Sequence, residues 1–131
     1  MHKKLAEDYI KRAKIRRKTL DFYLNEKDYP DVVRESQEIV ELLLKGVLIL
    51  YGIEFPRMHD IGKIFNENRE KFPEKILERL KEIVKISRLL RKDRELSFYG
   101  SEDIIPMEYY SEEDALEAIE MVDNIFDIIQ T

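Results

Sequence analysis

The stretch RKDRELSFYG, residues 91–100, holds the side chains best suited to chemistry. Arg91 and Arg94 carry guanidinium groups, which can grip a phosphate group through two parallel hydrogen bonds. Ser97 and Tyr99 follow within a few residues and could donate hydroxyl hydrogen bonds to the same ligand. This combination indicates a phosphate-binding site. No histidine follows in the sequence, so the stretch lacks the side chain that best moves protons near neutral pH.

Helical spacing leaves two interpretations of Arg94 open. A helix is predicted from Glu74 to about Phe98, with Pro73 in its first turn, and Arg94 falls where its inward stripe would place a core leucine. That stripe consists of Ile76, Leu80, Ile83, Ser87 and Leu90. Arg94 could bind an anion in a cleft, or it could be a buried ion-pair partner of Glu41. The hydroxyls of Ser97 and Tyr99 could likewise contact a ligand or only satisfy backbone groups at the helix end.

A second long helix is predicted over residues 30–52, with Pro30 at its start and Gly52 ending it. Its polar residues share one narrow arc: Arg34, Gln37, Glu38, Glu41 and Lys45. Its apolar residues span roughly 220° of the helix circumference, which predicts cover on two sides, by the bundle and by a second copy of the chain. Gln37, Glu41 and Lys45 could face a cleft opposite Arg91 and Arg94. Alternatively, Glu41 and Lys45 form an ordinary surface pair one turn apart.

The remaining elements complete an all-α fold. Helices are predicted from about Lys3 to Asn25, from about Asp60 to Glu70, and from Ser111 onward, where SEED matches a capping box. Residues 100–110 are predicted to form a loop. The core face of the last helix is predicted to contain Ala115, Leu116, Ala118, Ile119, Val122, Ile125, Phe126 and Ile129. The sum is an antiparallel up-and-down four-helix bundle with one additional short helix, in a single domain over residues 1–131.

Composition restricts the function further. The net charge of −5 argues against a globally basic nucleic-acid binder, although residues 3–18 are rich in Lys and Arg and residues 101–131 contain neither.

Cysteine is absent, and His59 with Asp60 provides too few ligands for a metal site, so we expect Asp60 to cap the short helix instead. We expect a cytoplasmic protein without a cofactor, because the chain shows neither a membrane-spanning run nor a signal peptide. Abundant Glu, Lys and Arg beside few Asn and Gln are typical of thermophiles.

The stretch ESQEIVELLLKGVLILYGIEFPRMHDIG, residues 35–62, resembles the signature of the HEPN domain family. The matching positions are Ser36, Gln37, Glu41, Lys45, Gly52, Pro56, His59 and Asp60. Residues 21–33 and 109–120 also fit, so the resemblance covers nearly the whole chain. It implies a helical bundle that commonly pairs as a two-fold dimer. Its functional implication is divided between metal-independent ribonucleases, of toxin or defence type, and non-cleaving partners of minimal nucleotidyltransferases, some of them nucleotide-binding.

The chain departs from the ribonuclease pattern of that family, which is an arginine followed after four to six residues by a histidine. The fifth position after Arg94 is Tyr99, and the only histidines are His2 and His59. Tyrosine titrates near 10 and is a poor general base for a ribose hydroxyl. We therefore expect a homodimer that binds nucleotide or RNA phosphate beside a minimal nucleotidyltransferase, with a toxin–antitoxin role left open. The alternative is a ribonuclease that uses Arg94 and Tyr99 at the dimer cleft.

Overall fold

A computed structural model gives the fold of the chain and describes residues 2–56 and 60–130. Within these ranges the protein is helical apart from its loops and one isolated bridge between Ser101 and Ile104. The helices are α1 (His2–Asn25), α2 (Tyr29–Leu50), α3 (Ile61–Glu67), α4 (Glu74–Leu77), α5 (Leu80–Lys92), α6 (Arg94–Tyr99), α7 (Pro106–Tyr109) and α8 (Glu112–Ile129), with a 3-10 turn at Arg69–Lys71. The predicted all-α fold is confirmed.

Helix α2 lies at the centre of the molecule and packs against α1, α3, α5, α6 and α8. Pro30 occupies its first turn, and Gly52 follows it with a positive φ of 70°, a conformation that glycine adopts without strain. The wide apolar arc of α2 was expected to need a second copy of the chain to cover it. The other helices of the same chain bury most of this arc, and even Gln37 of the polar arc is only 4% exposed, so the width of the arc does not by itself require a second copy, and the dimer stays a prediction.

Helix α1 packs closely on α2 through small side chains. Ala6 and Ala13 are fully buried, and Gly46 of α2 faces them with no side chain, so that a Cβ added there would lie 3.2 Å from atoms of Tyr9 and Ile10. The two arginines on this side of α1 find carboxylate partners, as their position in the apolar arc requires. Arg16 donates to Glu35 of α2 at 2.7 Å, and Arg17 donates to Asp123 of α8 at 2.8 Å.

The single helix predicted from Glu74 to Phe98 is wrong. The chain forms α4, α5 and α6 instead, with the last break at Asp93, whose φ of −91° and ψ of 0° depart from the helical values. Tyr110 donates a hydrogen bond to the Asp93 carboxylate at 3.1 Å and so ties the break to the chain before α8. Because the break rotates the residues that follow, Ser97 rather than Arg94 takes the inward position.

Helix α8 closes the bundle and begins as predicted. Ser111 accepts a hydrogen bond from the Asp114 backbone N–H, and the Asp114 carboxylate accepts one from the Ser111 backbone N–H, which completes the capping box. Ala115, Ala118, Val122, Ile125 and Ile129 of its predicted core face are buried. Leu116 was also expected in the core, but it lies at the edge of the apolar arc and is 46% exposed.

Replacing Asp28 with asparagine should remove the contribution of this residue to the pH dependence of stability between about pH 4 and pH 6. Asp28 caps the start of α2, and its partial burial, together with the interaction of its carboxyl group with the side chain of Asp31, raises its pKa from 3.8 to about 6. The folded state therefore holds this proton more tightly than the unfolded state. The contribution of Asp28 to the free energy of unfolding is greatest below pH 3.8 and decreases as the pH rises through about 6.

Asparagine caps a helix as well as aspartate does and carries no charge at any of these pH values. Above pH 6 the variant should be more stable than the wild type by about 1 kcal/mol, a value reduced for the solvent around Asp28. Urea unfolding across the pH range measures this, with Asp103→Asn as the matched change at an exposed position. An unchanged pH profile in the Asp28 variant would contradict the prediction.

Candidate functional site

A groove of about 520 Å³ runs between α2 and α6, and we call it the arginine groove. Its lining consists of Arg34, Glu38, Arg94, Glu95, Phe98 and Tyr99. The α2 side chains come from the polar arc of that helix, and the α6 side chains come from the stretch RELSFY, which begins after the break at Asp93. The groove therefore exists because α6 starts a new helical phase rather than continuing α5.

Arg94 lies exposed at this groove. The expectation that it sits in the core as a partner of Glu41 is wrong, because the break at Asp93 turns it outward. In the described part of the chain no carboxylate oxygen lies within 4.0 Å of its guanidinium nitrogens. Its charge and its five N–H donors remain available to a ligand.

Arg34 forms the opposite wall of the groove and is already engaged. Its guanidinium donates to Asp31 at 3.2 Å, to Glu35 at 3.4 Å, and to Glu38. It also lies over the ring of Phe98, with 5.2 Å between its central carbon and the ring centroid. Partial burial lowers the pKa of the Arg34 guanidinium. The three carboxylates have the larger combined effect, so the pKa is raised.

The carboxylate of Glu35 anchors this wall to α1. Glu35 is buried, and it accepts hydrogen bonds from Arg16 at 2.7 Å and from Arg34 at 3.4 Å. A buried carboxylate is tolerated when cations and hydrogen bonds surround it. The result is a rigid support from α1 through α2 to the ring of Phe98.

Two aromatic side chains of α6 extend from the groove into solvent. Phe98 is 54% exposed and Tyr99 is 78% exposed, and their rings meet edge to face with 4.5 Å between centroids. Exposed aromatic rings next to an arginine are what proteins use to stack on bases while holding the phosphate. Glu38 and Glu95 add acceptors that could receive hydrogen bonds from ribose hydroxyls or base amino groups.

The other predicted site residues lie apart from this groove. Gln37, Glu41 and Arg91 line a separate crevice of about 10 Å³, which holds no more than a water molecule. The Oε1 atom of Gln37 lacks a hydrogen-bond partner there within the described residues. Lys45 pairs with Glu41 at 3.8 Å, and both side chains are half-buried. The structure thus joins Gln37 and Glu41 to Arg91 but not to Arg94.

Ser97 and Asp60 serve the backbone. Ser97 is 1% exposed and its hydroxyl donates to the carbonyl of Arg94 at 3.2 Å, so it cannot reach a ligand in the groove. Asp60 accepts from the N–H of Gly62 at 3.1 Å and caps α3, as expected, with Arg91 4.0 Å away. His59 lies outside the described residues.

Sequence reasoning missed Arg34 and Phe98 as parts of the site. Arg34 was assigned only to the polar arc of α2, and Phe98 was taken as a core residue at the end of a long helix. The spacing of Arg94 and Phe98, four residues apart, places both on one face of a helix, but the direction in which that face points depends on the break at Asp93. Nothing in the sequence alone relates that face to Arg34, which is distant along the chain.

A model of the HEPN domain matches residues 6–131 of the chain. The chain belongs to the HEPN family. A curated relative, "Putative toxin MJ1304" of Methanocaldococcus jannaschii, is 32% identical over 133 aligned positions, which cover 97% of this chain and 87% of that protein. No solved structure matches the chain.

This HEPN domain has the helical fold that the sequence resemblance implied. Across residues 2–56 and 60–130, no helix is long and apolar enough to span a lipid bilayer. No group of three His, Asp or Glu side chains in those ranges is arranged to hold a metal ion.

Proposed function

We propose that this HEPN protein is a non-cleaving homodimer that binds the phosphate of a nucleotide or of RNA at Arg94. It acts beside a minimal nucleotidyltransferase subunit. The observation that carries the proposal is the exposed guanidinium of Arg94 in an open groove, without a carboxylate within 4.0 Å among the described residues. An arginine that only stabilised the fold would be expected to have such a partner.

The neighbours of Arg94 support a nucleotide rather than a bare anion. Tyr99 offers an exposed ring for stacking, worth about 1–3 kcal/mol per base in single-strand binding proteins. Glu38 and Glu95 would repel a simple anion but can accept hydrogen bonds from sugar or base groups. A nucleotide matches this arrangement, because Arg94 can bind its phosphate, Tyr99 can stack on its base, and the carboxylates can accept hydrogen bonds from its sugar or base.

The absence of a histidine after Arg94 supports binding without cleavage. Breaking the RNA backbone without a metal requires one group that removes the proton of the 2′-hydroxyl and another that protonates the leaving oxygen. Arginine stabilises phosphate charge but stays protonated, so it can do neither. The groove can hold the phosphate. Apart from its arginines, the side chains in its lining that could transfer a proton are Glu38, Glu95 and Tyr99, and none of them is a histidine.

Exposed apolar side chains near the groove support a homodimer. Three of them lie outside the groove lining, in α7 and the connection before it: Ile105, Met107 and Tyr109. Exposed apolar side chains that form a patch commonly mark a protein interface. A second copy packed on it would place the arginine groove beside the dimer cleft.

Replacing Arg94 with alanine should weaken the binding of a labelled single-stranded RNA oligonucleotide about tenfold, because one charge-assisted phosphate contact is lost. Fluorescence anisotropy at several salt concentrations measures this, and the salt dependence should fall by about one phosphate contact. Arg69→Ala removes the same charge at an exposed position outside the groove, where the arginine donates a hydrogen bond to Asn66 at 3.2 Å. That control should bind like the wild type, and both variants should keep its mass in light scattering.

The same RNA assay tests a second function, which is ribonuclease activity. Two observations favour it: Arg94 and Tyr99 line the same groove, and the relative is named a putative toxin. We expect the RNA to remain intact during incubation without metal. Cleavage by the wild type that disappears in Arg94→Ala and in Tyr99→Phe would replace the binding proposal with the enzymatic one. Equal RNA binding by the wild type and Arg94→Ala would reject the binding proposal.

A further inference from the structure

A second groove, larger than the first, lies between α1 and α8, and we call it the α1–α8 groove. It has a volume of about 990 Å³ and shares no lining residue with the arginine groove. Its floor is apolar and includes Ile10, Val47, Leu50, Phe126 and Ile129. The groove exists because α1 and α8 each pack on α2 but meet one another mainly at the ion pair of Arg17 with Asp123.

The two rims of this groove differ in charge. Lys3, Lys11 and Lys14 stand on the α1 rim, where Glu7 is the single acid. Within the described part of the chain these lysines lie more than 4.0 Å from any carboxylate oxygen. The carboxylates on the α8 rim are already engaged, because Asp123 pairs with Arg17 at 2.8 Å and Asp127 with Arg79 at 2.7 Å. One rim is therefore cationic and the other is close to neutral.

We propose that the α1–α8 groove binds an amphipathic helix of a partner protein, with the acidic flank of that helix against α1. The groove is a trough bounded by two helices above a third, which is the space that an additional helix fills in a bundle. Binding of an apolar helix face in such a trough is a common mode of recognition. The unpaired lysines select acidic residues on one flank of the occupant.

Neither of the two long terminal helices of a second copy, α1 or α8, matches the groove. Its α1 exposes Ile15 and Phe22, but lysines such as Lys18 flank them and would face the lysine rim. Its α8 is acidic enough, but Leu116 is the only large apolar side chain that this helix exposes in the described residues. We therefore take the occupant to be a helix of a different protein, and this inference does not depend on the function proposed for Arg94.

The test uses the full chain and two synthetic helical peptides with the same leucine stripe, one with glutamates and one with lysines along one flank. In calorimetry the acidic peptide should bind the wild type about tenfold more tightly than the basic one. The variant Lys11→Glu/Lys14→Glu should reverse this preference. The variant Lys4→Glu/Lys18→Glu makes the same charge change on α1 outside the groove lining and should retain the wild-type preference.

Leu50→Asp should abolish binding of both peptides, whereas Leu116→Asp, at an exposed position outside the groove, should not. Thermal unfolding of each variant shows that it is folded. Equal affinity for the two peptides, or the same effect from both lysine pairs, would overturn the proposal. So would a groove that binds dodecanoate but neither peptide, because the site would then be one for a lipid carboxylate.

Discussion

Replacing Gly100 with alanine is expected to lower the free energy of unfolding by about 3 kcal/mol and to weaken ligand binding in the arginine groove. Gly100 ends α6 with φ of 72° and ψ of −156°, a region that is almost exclusive to glycine. A Cβ at this position would lie 2.4 Å from the carbonyl oxygen of Ile104 and 2.7 Å from Cδ of Pro106. Neither atom belongs to a flexible side-chain end, so the turn itself must open.

Opening that turn would also move the aromatic residues of α6. Gly100 donates its N–H to the carbonyl of Leu96 at 2.9 Å, and the pairing of Ser101 with Ile104 follows at once. Phe98 and Tyr99 immediately precede this point. We therefore expect weaker RNA binding together with lower stability, measured by anisotropy and by urea unfolding.

Gly52→Ala is the matched control. Gly52 has nearly the same φ, 70°, but an added Cβ would have no neighbour within 4 Å. The Gly52→Ala variant should therefore lose only about 1 kcal/mol of stability, the cost of placing an alanine in the left-handed region. Equal losses of stability at the two glycines would show that the contact with Ile104 is not a real constraint, and would contradict the prediction.

Replacing Leu43 with alanine should lower the free energy of unfolding by about 3 kcal/mol, within the range measured for buried leucines. Leu43 is fully buried on α2, which has helices packed around most of its circumference, so the surrounding side chains have little freedom to fill the cavity.

Leu116→Ala removes the same atoms from an exposed position and should change stability by less than about 0.5 kcal/mol. Urea unfolding of the two variants beside the wild type measures the difference. A small loss at Leu43 would mean that α2 is less tightly enclosed than the structure indicates. A large loss at Leu116 would mean that another molecule covers that part of α8.

Local signals were enough to predict the two ends of α2 and the start of α8. Pro30 marked the start of α2, Gly52 its end and Ser111 the start of α8, because each of these residues has a strong steric or hydrogen-bonding reason to stand at a helix terminus. The motif from Ser36 to Asp60 was enough to predict the family, since its positions combine into a pattern of fair specificity.

The break at Asp93 could not be predicted from local signals. Residues 80–99 contain neither glycine nor proline, and the helical phase of the apolar residues continues to Leu90. The break is stabilised by Tyr110, which reaches Asp93 from far along the chain. A tertiary contact of this kind decided the position of Arg94, and with it the composition of the candidate site.

The central position of α2 also has a consequence for the order of folding. The α1–α2 hairpin needs only a short loop closure and can form early, as local contacts usually do. Until α8 joins, however, the valines and leucines of α2 that α8 covers stay open to water. A chain in which the α1–α2 hairpin formed first would expose this apolar face until α8 joined, and exposed faces of that kind are the ones on which chaperones act and from which aggregation starts.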